Sequence, residues 1–241
     1  MKLLNLKENS IVLDVAAGTG EPGLSIAPKV PKGKVVITDL ADDMLEIARE
    51  NANNRNIKNI DLASCDVCEM PFENNYFDAI SCRFGFMFFP DMLLAASEMI
   101  RVLKSGGKMA TSVWNISEKN FWVTAMASTI RKHMNIPPPL SGAPGMFRCC
   151  EDGLFESILN KAGFKNIFFK VIDTKLSFES AEEYWTMMTE ISAPFVSALA
   201  QADINLKDNI MKDVCSLINN KFPNGPILMD ASAIIFHGEK E

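Results

Sequence analysis

The first 114 residues alternate short, continuous apolar runs with stretches of helical periodicity. Ile11-Val12-Leu13 reads as a buried strand that stops at Asp14, followed by a glycine-rich turn and a helix through about Lys29. Lys34 to Ile37 is a second strand, closed by Asp39. Met44, Leu45, Ile47 and Ala48 recur at helical spacing and predict a helix over 42–53 capped by Asp42. Asn59 to Ala63 is a third strand. Phe77 to Cys82 is a fourth, its largely apolar run being that of a strand buried on both faces. A helix over 91–103 is ended by Lys104-Ser105-Gly106-Gly107, and Lys108 to Trp114 is a fifth strand. Strands alternating with helices predict an α/β fold with a doubly wound, mostly parallel sheet.

After Trp114 the rhythm breaks. Residues 119–134 form a helix bearing Phe121, Trp122, Ala125, Met126 and Ile130, and Ile136 through Gly145, with three consecutive prolines, must be loop. Glu151 to Ala162 resumes as a helix that Gly163 stops, and Phe164 to Ile172 is a sixth strand. Ser180-x-x-Glu183 is a capping box opening a helix with Tyr184, Met188 and Ile191 on one stripe, with Phe195 and Leu199 beyond Pro194. Leu206, Ile210, Val214 and Leu217 mark another helix, and Ile227 to Phe236 a closing strand, the seventh. The expected organisation is a core half at 1–114, helical additions at 115–150 and 177–225, and the rest of the core at 151–176 and 226–241.

Composition narrows the function classes. Lys plus Arg number 24 against 30 Asp plus Glu, a net charge of −6 without a basic run, so nucleic acid is not an expected partner. The six cysteines are sparse, several lie in apolar runs, and Cys65-x-x-Cys68 has no second pair, which argues against a disulfide framework. With His133 and His237 the only histidines, no metal site is expected. The start, MKLLNLKENS, lacks a signal peptide's apolar stretch, and no apolar run is long enough to span a bilayer. The expected compartment is the cytoplasm.

The chemistry concentrates in the first turn. Asp14-Val15-Ala16-Ala17-Gly18-Thr19-Gly20-Glu21-Pro22-Gly23 lets the backbone approach a ligand closely at Gly18 and Gly20. Asp39 ends the second strand about twenty residues on, where a carboxylate can accept both ribose hydroxyls. Strand, glycine turn, helix, strand and terminal acid in register point to a nucleoside at the first crevice. Gly18-x-Gly20-x-x-Gly23 also satisfies the dinucleotide fingerprint, so an NAD-dependent oxidoreductase is an alternative. Against it, Pro22 removes an amide from the helix start, and Asp14 suits a cation better than a diphosphate.

Four segments make the chain resemble the class I S-adenosylmethionine-dependent methyltransferases of the ubiquinone/menaquinone-biosynthesis group. They are Val12 through Gly20, Thr38 through Leu45, Cys65 through Phe72 with Phe77-Asp78, and Arg101-Val102-Leu103-Lys104-Ser105-Gly106-Gly107. The resemblance implies a Rossmann-like methyltransferase fold and S-adenosyl-L-methionine as cofactor. It implies that Ala16, Gly18, Thr19 and Gly20 line the methionine part, with Asp14 near its ammonium. Asp39 would hold the ribose, Leu40 and Met44 the adenine face, Asp66 the adenine amino group, and Val67 the ring. Arg83 and Phe84 would face the methyl donor.

Three departures stand out. Ala16 replaces a glycine, tolerated if its φ is negative. Arg83 replaces a residue that is often polar in the family. The helical segment that usually precedes the first strand is not evident here, so one wall of the site is expected to be missing. The reading is a methyltransferase acting by in-line displacement on a small, largely apolar molecule. No catalytic residue is assigned. Phe86, Met87, Trp114, Trp122, Tyr184 and Trp185 are candidates for the acceptor's surroundings, with the helical additions as a lid. Core packing is the competing reading for each. A second copy of the chain is the protein partner to consider, and a non-catalytic S-adenosylmethionine-binding protein is the remaining alternative.

Overall fold

The computed structural model describes residues 1–140, 142–224 and 226–241, and no side chain at position 193. The expected loop through Gly145 and the addition ending at 225 thus each include one position, Ser141 and Gly225, outside the described residues. Seven strands form one sheet: β1 (Ile11–Asp14), β2 (Lys34–Asp39), β3 (Ile60–Ser64), β4 (Phe77–Arg83), β5 (Leu103–Trp114), β6 (Lys165–Phe178) and β7 (Ile227–Glu239), in the order β3-β2-β1-β4-β5-β7-β6. The first five run parallel, and β7 is antiparallel to β5. The helices are α1 (Gly23–Ile26), α2 (Asp42–Asn54), α3 (Met92–Val102), α4 (Phe121–Met134), α5 (Leu154–Ala162), α6 (Ala181–Ile191), α7 (Ala193–Ala200) and α8 (Ile204–Lys221).

Residues 1–114, 142–171 and 233–241 make one compact unit, and 115–141 with 172–232 a second. In the first, alternate strand residues seed two cores on opposite faces of the sheet. Leu13, Val36 and Ile80 enter one, and Val12, Val35, Ile37 and Ala79 the other. In the second, Met126, Ile130, Tyr184, Ile210, Val214 and Ile218 are buried among α4, α6 and α8.

Several boundaries differ from the sequence pattern for local reasons. The expected long first helix is the four residues of α1 followed by a 3-10 turn at Ala27–Lys29, since Pro28 forbids a regular continuation. Asp42 lies in the first turn of α2 rather than at its cap. Ala41 caps it, and the Ala41 N–H is taken by Asp39 Oδ1 at 3.0 Å. Lys104 to Gly107 lies inside β5, because Leu103 already pairs with Phe77 and a register shift absorbs the glycines. Gly163 does stop α5, at φ 106°, and Ser180 Oγ does accept from the Glu183 N–H at 3.0 Å. Strand β6 runs on to Phe178 and is exposed over nearly its whole length at the sheet edge, with Phe168 and Phe169 about half uncovered.

Candidate functional site

In a doubly wound sheet the ligand crevice opens beyond the carboxyl ends of the strands where the winding reverses, here between β1 and β4. The loop after β1 is laced to both neighbours: the Val15 N–H donates to Ser81 O (2.8 Å) and the Ala17 N–H to Thr38 O (2.9 Å). Ala16, Gly18 and Gly20 all have left-handed backbones, at φ 50°, 55° and 105°. The glycine-to-alanine departure at Ala16 therefore does not meet its condition of negative φ, and the residue carries roughly 1–2 kcal/mol of strain. A Cβ built on Gly18 would meet nothing within 4 Å, so the loop leaves open space there.

Asp14 is fully buried beneath this loop. Its Oδ2 accepts from the Gly23 N–H (2.6 Å) and its Oδ1 from the Ser81 hydroxyl (2.6 Å). Burial outweighs these hydrogen bonds and the Arg83 charge, pushing the carboxyl up to about 7. The carboxylate expected beside an ammonium group thus faces inward, and it would act on a bound cation through its field rather than by contact.

The start of α1 is equally committed. Pro22 has no N–H, the Gly23 N–H serves Asp14, and the Leu24 N–H donates to Gly20 O at 2.8 Å. The Glu21 carboxylate receives Ser25 through both hydroxyl and backbone N–H and pairs with Arg55. Partial burial works to raise Glu21, but those hydrogen bonds outweigh it and hold the carboxyl below its usual value. A pyrophosphate would find two carboxylates and no free amide at this helix end.

Asp39 stands at the end of β2, half-buried, with Oδ2 accepting from the Gly18 N–H at 2.8 Å and Oδ1 from the Ala41 N–H. Each oxygen keeps a lone pair for a further donor. Beside it, Leu40 is 74% and Met44 39% exposed, uncovered apolar surface at the rim. Asp66 is exposed, with Oδ1 accepting from the Cys68 N–H at 2.8 Å, and Val67 is buried next to it. The segment after this turn is clamped from α3. Arg101 donates to Met70 O (2.8 Å), Phe72 O (2.7 Å) and Asn74 Oδ1 (2.8 Å), while Glu98 accepts from the Met70 N–H (2.9 Å) and pairs with Arg101. The motif containing Arg101 was visible in the sequence, but nothing local signals the clamp, because its partners lie 27 to 31 residues away.

At the ends of β4 and β5 the structure gathers Arg83, Phe84 and Trp114. Phe84 has a left-handed backbone at φ 60°, and its ring stacks on Trp114 with centroids 4.2 Å apart and planes 9° from parallel. Arg83 is exposed and donates from Nε to Glu21 O at 3.3 Å. The other candidates are dispersed. Thr19 is exposed, and its carbonyl accepts from Asn51. Phe86 and Met87 are fully buried in the sheet's core. In the second unit, Tyr184 is core, its hydroxyl donating to Trp122 O at 2.6 Å, while Trp122 and Trp185 are half-buried around that core. His133 pairs with Asp213 at 2.8 Å. His237 is buried, and burial lowers its pKa. Among the described residues no three metal-binding side chains cluster, and no helix is long and apolar enough to cross a membrane.

Known proteins share this architecture. A demethylmenaquinone methyltransferase from Listeria welshimeri is 35% identical over 111 residues, 46% of this chain and 47% of its own, so the chain spans about half the length of the curated relatives it matches. The crystal structure of YcgJ from Bacillus subtilis superposes over 100% of this chain and 95% of its own at TM-score 0.64 and 18% identity. Phosphoethanolamine N-methyltransferase 2 of Haemonchus contortus, solved in complex with S-adenosyl-L-methionine, covers 99% of this chain and 50% of its own at TM-score 0.59 and 20% identity. The family model for the ubiE/COQ5 methyltransferases matches residues 1–133, more than half of the sequence, and the chain belongs to that family.

Proposed function

We propose that this chain binds S-adenosyl-L-methionine in the β1–β4 crevice and transfers its methyl group to a small, largely apolar acceptor. The observation that carries the reading is the hydrogen-bond inventory at the first turn. Every amide at the start of α1 is taken, two carboxylates sit there, and Asp39 keeps acceptor capacity beside the open space over Gly18. That set suits a nucleoside with a cationic tail and opposes the pyrophosphate of NAD.

When bound, the group supplies an electrophilic methyl on sulfur. The chain's residues bind and orient it. Asp39 accepts the ribose hydroxyls, Leu40 and Met44 cover the adenine, Asp66 accepts from its amino group, and Val67 lies against the ring. The loop through Ala16, Gly18, Thr19 and Gly20 lines the methionine part. Asp14 holds that loop to the sheet and adds a negative field, which a bound cation strengthens by favouring its ionised form. Alignment and exclusion of water, rather than a protein base, then carry the reaction. The setting is proposed to be cytoplasmic, with a second copy of the chain as protein partner and no nucleic acid.

Calorimetric titration with S-adenosylmethionine, S-adenosylhomocysteine and NAD tests this. Both adenosyl ligands should bind and NAD should not. Asp39→Ala should lose roughly 3 kcal/mol, about a hundredfold, from two charge-assisted hydrogen bonds. NAD binding, or unchanged adenosyl binding in the variant, overturns the reading. Binding of the adenosyl ligands without turnover of any acceptor in a library screen would favour a non-catalytic binding protein.

A further inference from the structure

Beyond Met44, helix α2 carries a stripe that the cofactor motifs leave unexplained. Met44, Ala48, Asn51 and the C-cap residue Arg55 recur at i, i+4, i+7 and i+11 and so share one face of the helix. That face lies along the glycine loop. A Cβ added to Gly20 would stand 3.2 Å from the Ala48 Cβ, so the loop approaches α2 where both residues are small. One turn further on, Asn51 Nδ2 donates to Thr19 O at 3.0 Å, and beyond it the Arg55 guanidinium pairs with the Glu21 carboxylate. The Arg55 N–H donates in turn to Asn51 O at 3.2 Å, which joins the two grips.

The loop has little stiffness of its own, since two of its three left-handed residues are glycines that lose much freedom on ordering. The sheet side fixes its first half. The Val15 and Ala17 N–H groups donate to Ser81 O and Thr38 O, and the Gly18 N–H to Asp39. Past Gly18 these ties end. The Gly20 N–H closes a turn on Ala17 O at 3.0 Å, and the peptide that carries it is the one Asn51 grips by its carbonyl. Glu21 is then held by Arg55 at the carboxylate and by Arg83 at the carbonyl. Among the described residues the Ala16 and Thr19 N–H groups find no acceptor, so they are donors the loop can offer a ligand.

The geometry points to Asn51 and Arg55 as positioning residues that set the glycine loop for the amino-acid end of the cofactor. This rests on the methyltransferase reading and deepens it. The nucleoside contacts proposed at Asp39, Leu40 and Met44 stand on the end of β2 and the start of α2, away from the Asn51 grip. The amino-acid end meets the loop, and its carboxylate needs the free amides already in place. With Met44 near one end of the stripe and Asn51 and Arg55 at the other, α2 holds the two halves of the site in register. Order supplied before binding is order the ligand does not have to impose, and affinity rises accordingly.

The test is calorimetry on the whole chain with S-adenosylhomocysteine and with 5′-methylthioadenosine, which keeps the nucleoside and the sulfur but lacks the amino-acid end. Asn51→Leu, of similar size and without a donor, should weaken S-adenosylhomocysteine about tenfold and 5′-methylthioadenosine by under about twofold. Asn51→Asp sets a carboxylate against the Thr19 carbonyl and should weaken S-adenosylhomocysteine further, again sparing the shorter ligand. Arg55→Met should weaken S-adenosylhomocysteine about threefold, as for one exposed ion pair, and Arg55→Lys should restore most of that. Support of the fold alone would weaken both ligands together. Equal losses for the two ligands, or unchanged S-adenosylhomocysteine affinity in Asn51→Leu, therefore overturns the proposal. The wild-type titration separates this from a deeper failure: a wild type that binds neither ligand removes the methyltransferase reading and the proposal with it.

Discussion

Asp14 makes the stability of this fold depend on pH in a direction opposite to most acidic residues. Its carboxyl moves from 3.8 in the unfolded chain to about 7 in the folded one, because burial disfavours the charge more than Ser81 and Gly23 favour it. A folded-state pKa raised above the unfolded value means that the native protein holds the proton more tightly. Stability is then highest below the unfolded pKa and falls as pH rises toward the folded one. At about 1.36 kcal/mol per pKa unit, the full penalty above neutrality is on the order of 4 kcal/mol. Between about pH 5 and about pH 8 the expected loss is roughly 2.5 kcal/mol. Asp14→Asn imitates the protonated acid, with an oxygen for the Gly23 N–H and an amide that can donate to Ser81 Oγ. Guanidinium denaturation of both proteins from about pH 5 to about pH 8 should show the variant gaining on wild type by that amount. His237, whose lowered pKa works the opposite way in this window, cancels in the comparison. Parallel stability profiles, or a variant less stable than wild type at about pH 8, would refute the assignment of a buried, reluctantly ionised carboxylate.

Two more substitutions probe the loops around the crevice. Ala16→Gly removes a left-handed backbone penalty of roughly 1–2 kcal/mol and gives back up to about 1 kcal/mol through a freer unfolded chain. The melting temperature should hold or rise, by up to roughly 1 kcal/mol in stability, and a clear fall would contradict the positive φ. Arg101→Gln releases Met70, Phe72 and Asn74, so S-adenosylhomocysteine should bind about tenfold more weakly while hydrogen exchange speeds up over 66–76. Arg101→Lys should not restore binding, since an ammonium cannot span three acceptors in a plane. Unchanged affinity would make the clamp purely structural.

What could be read from the chain was what neighbours in sequence decide. The strands and turns through Trp114, the spacing of Asp39 from the glycine loop and the capping box at Ser180 are all local patterns. The geometry that needed the structure is long-range. The inward turn of Asp14 depends on Ser81, 67 residues away. The Arg101 clamp depends in part on the backbone carbonyls of Met70 and Phe72, which carry no side-chain signal. Phe86 and Met87 look like pocket residues because an apolar loop reads the same whether it faces a ligand or the core. Ala16 is a different kind of miss: composition cannot give the sign of φ, and alanine argues for the wrong one.

The edge strand β6 has a consequence for handling the protein. Its exposed Phe168, Phe169, Val171 and Ile172 border an uncovered row of backbone groups, the arrangement from which sheets join edge to edge into precipitates. Lys165, Lys170 and Lys175 punctuate it at five-residue intervals and, with the net charge of −6, keep copies apart in neutral solution. Near the isoelectric point of about 5.1 that mutual repulsion vanishes. Mild acid is also where the buried Asp14 carboxyl is most at ease. The pH that relieves the buried Asp14 carboxyl is therefore one at which the solution is least stable as a colloid.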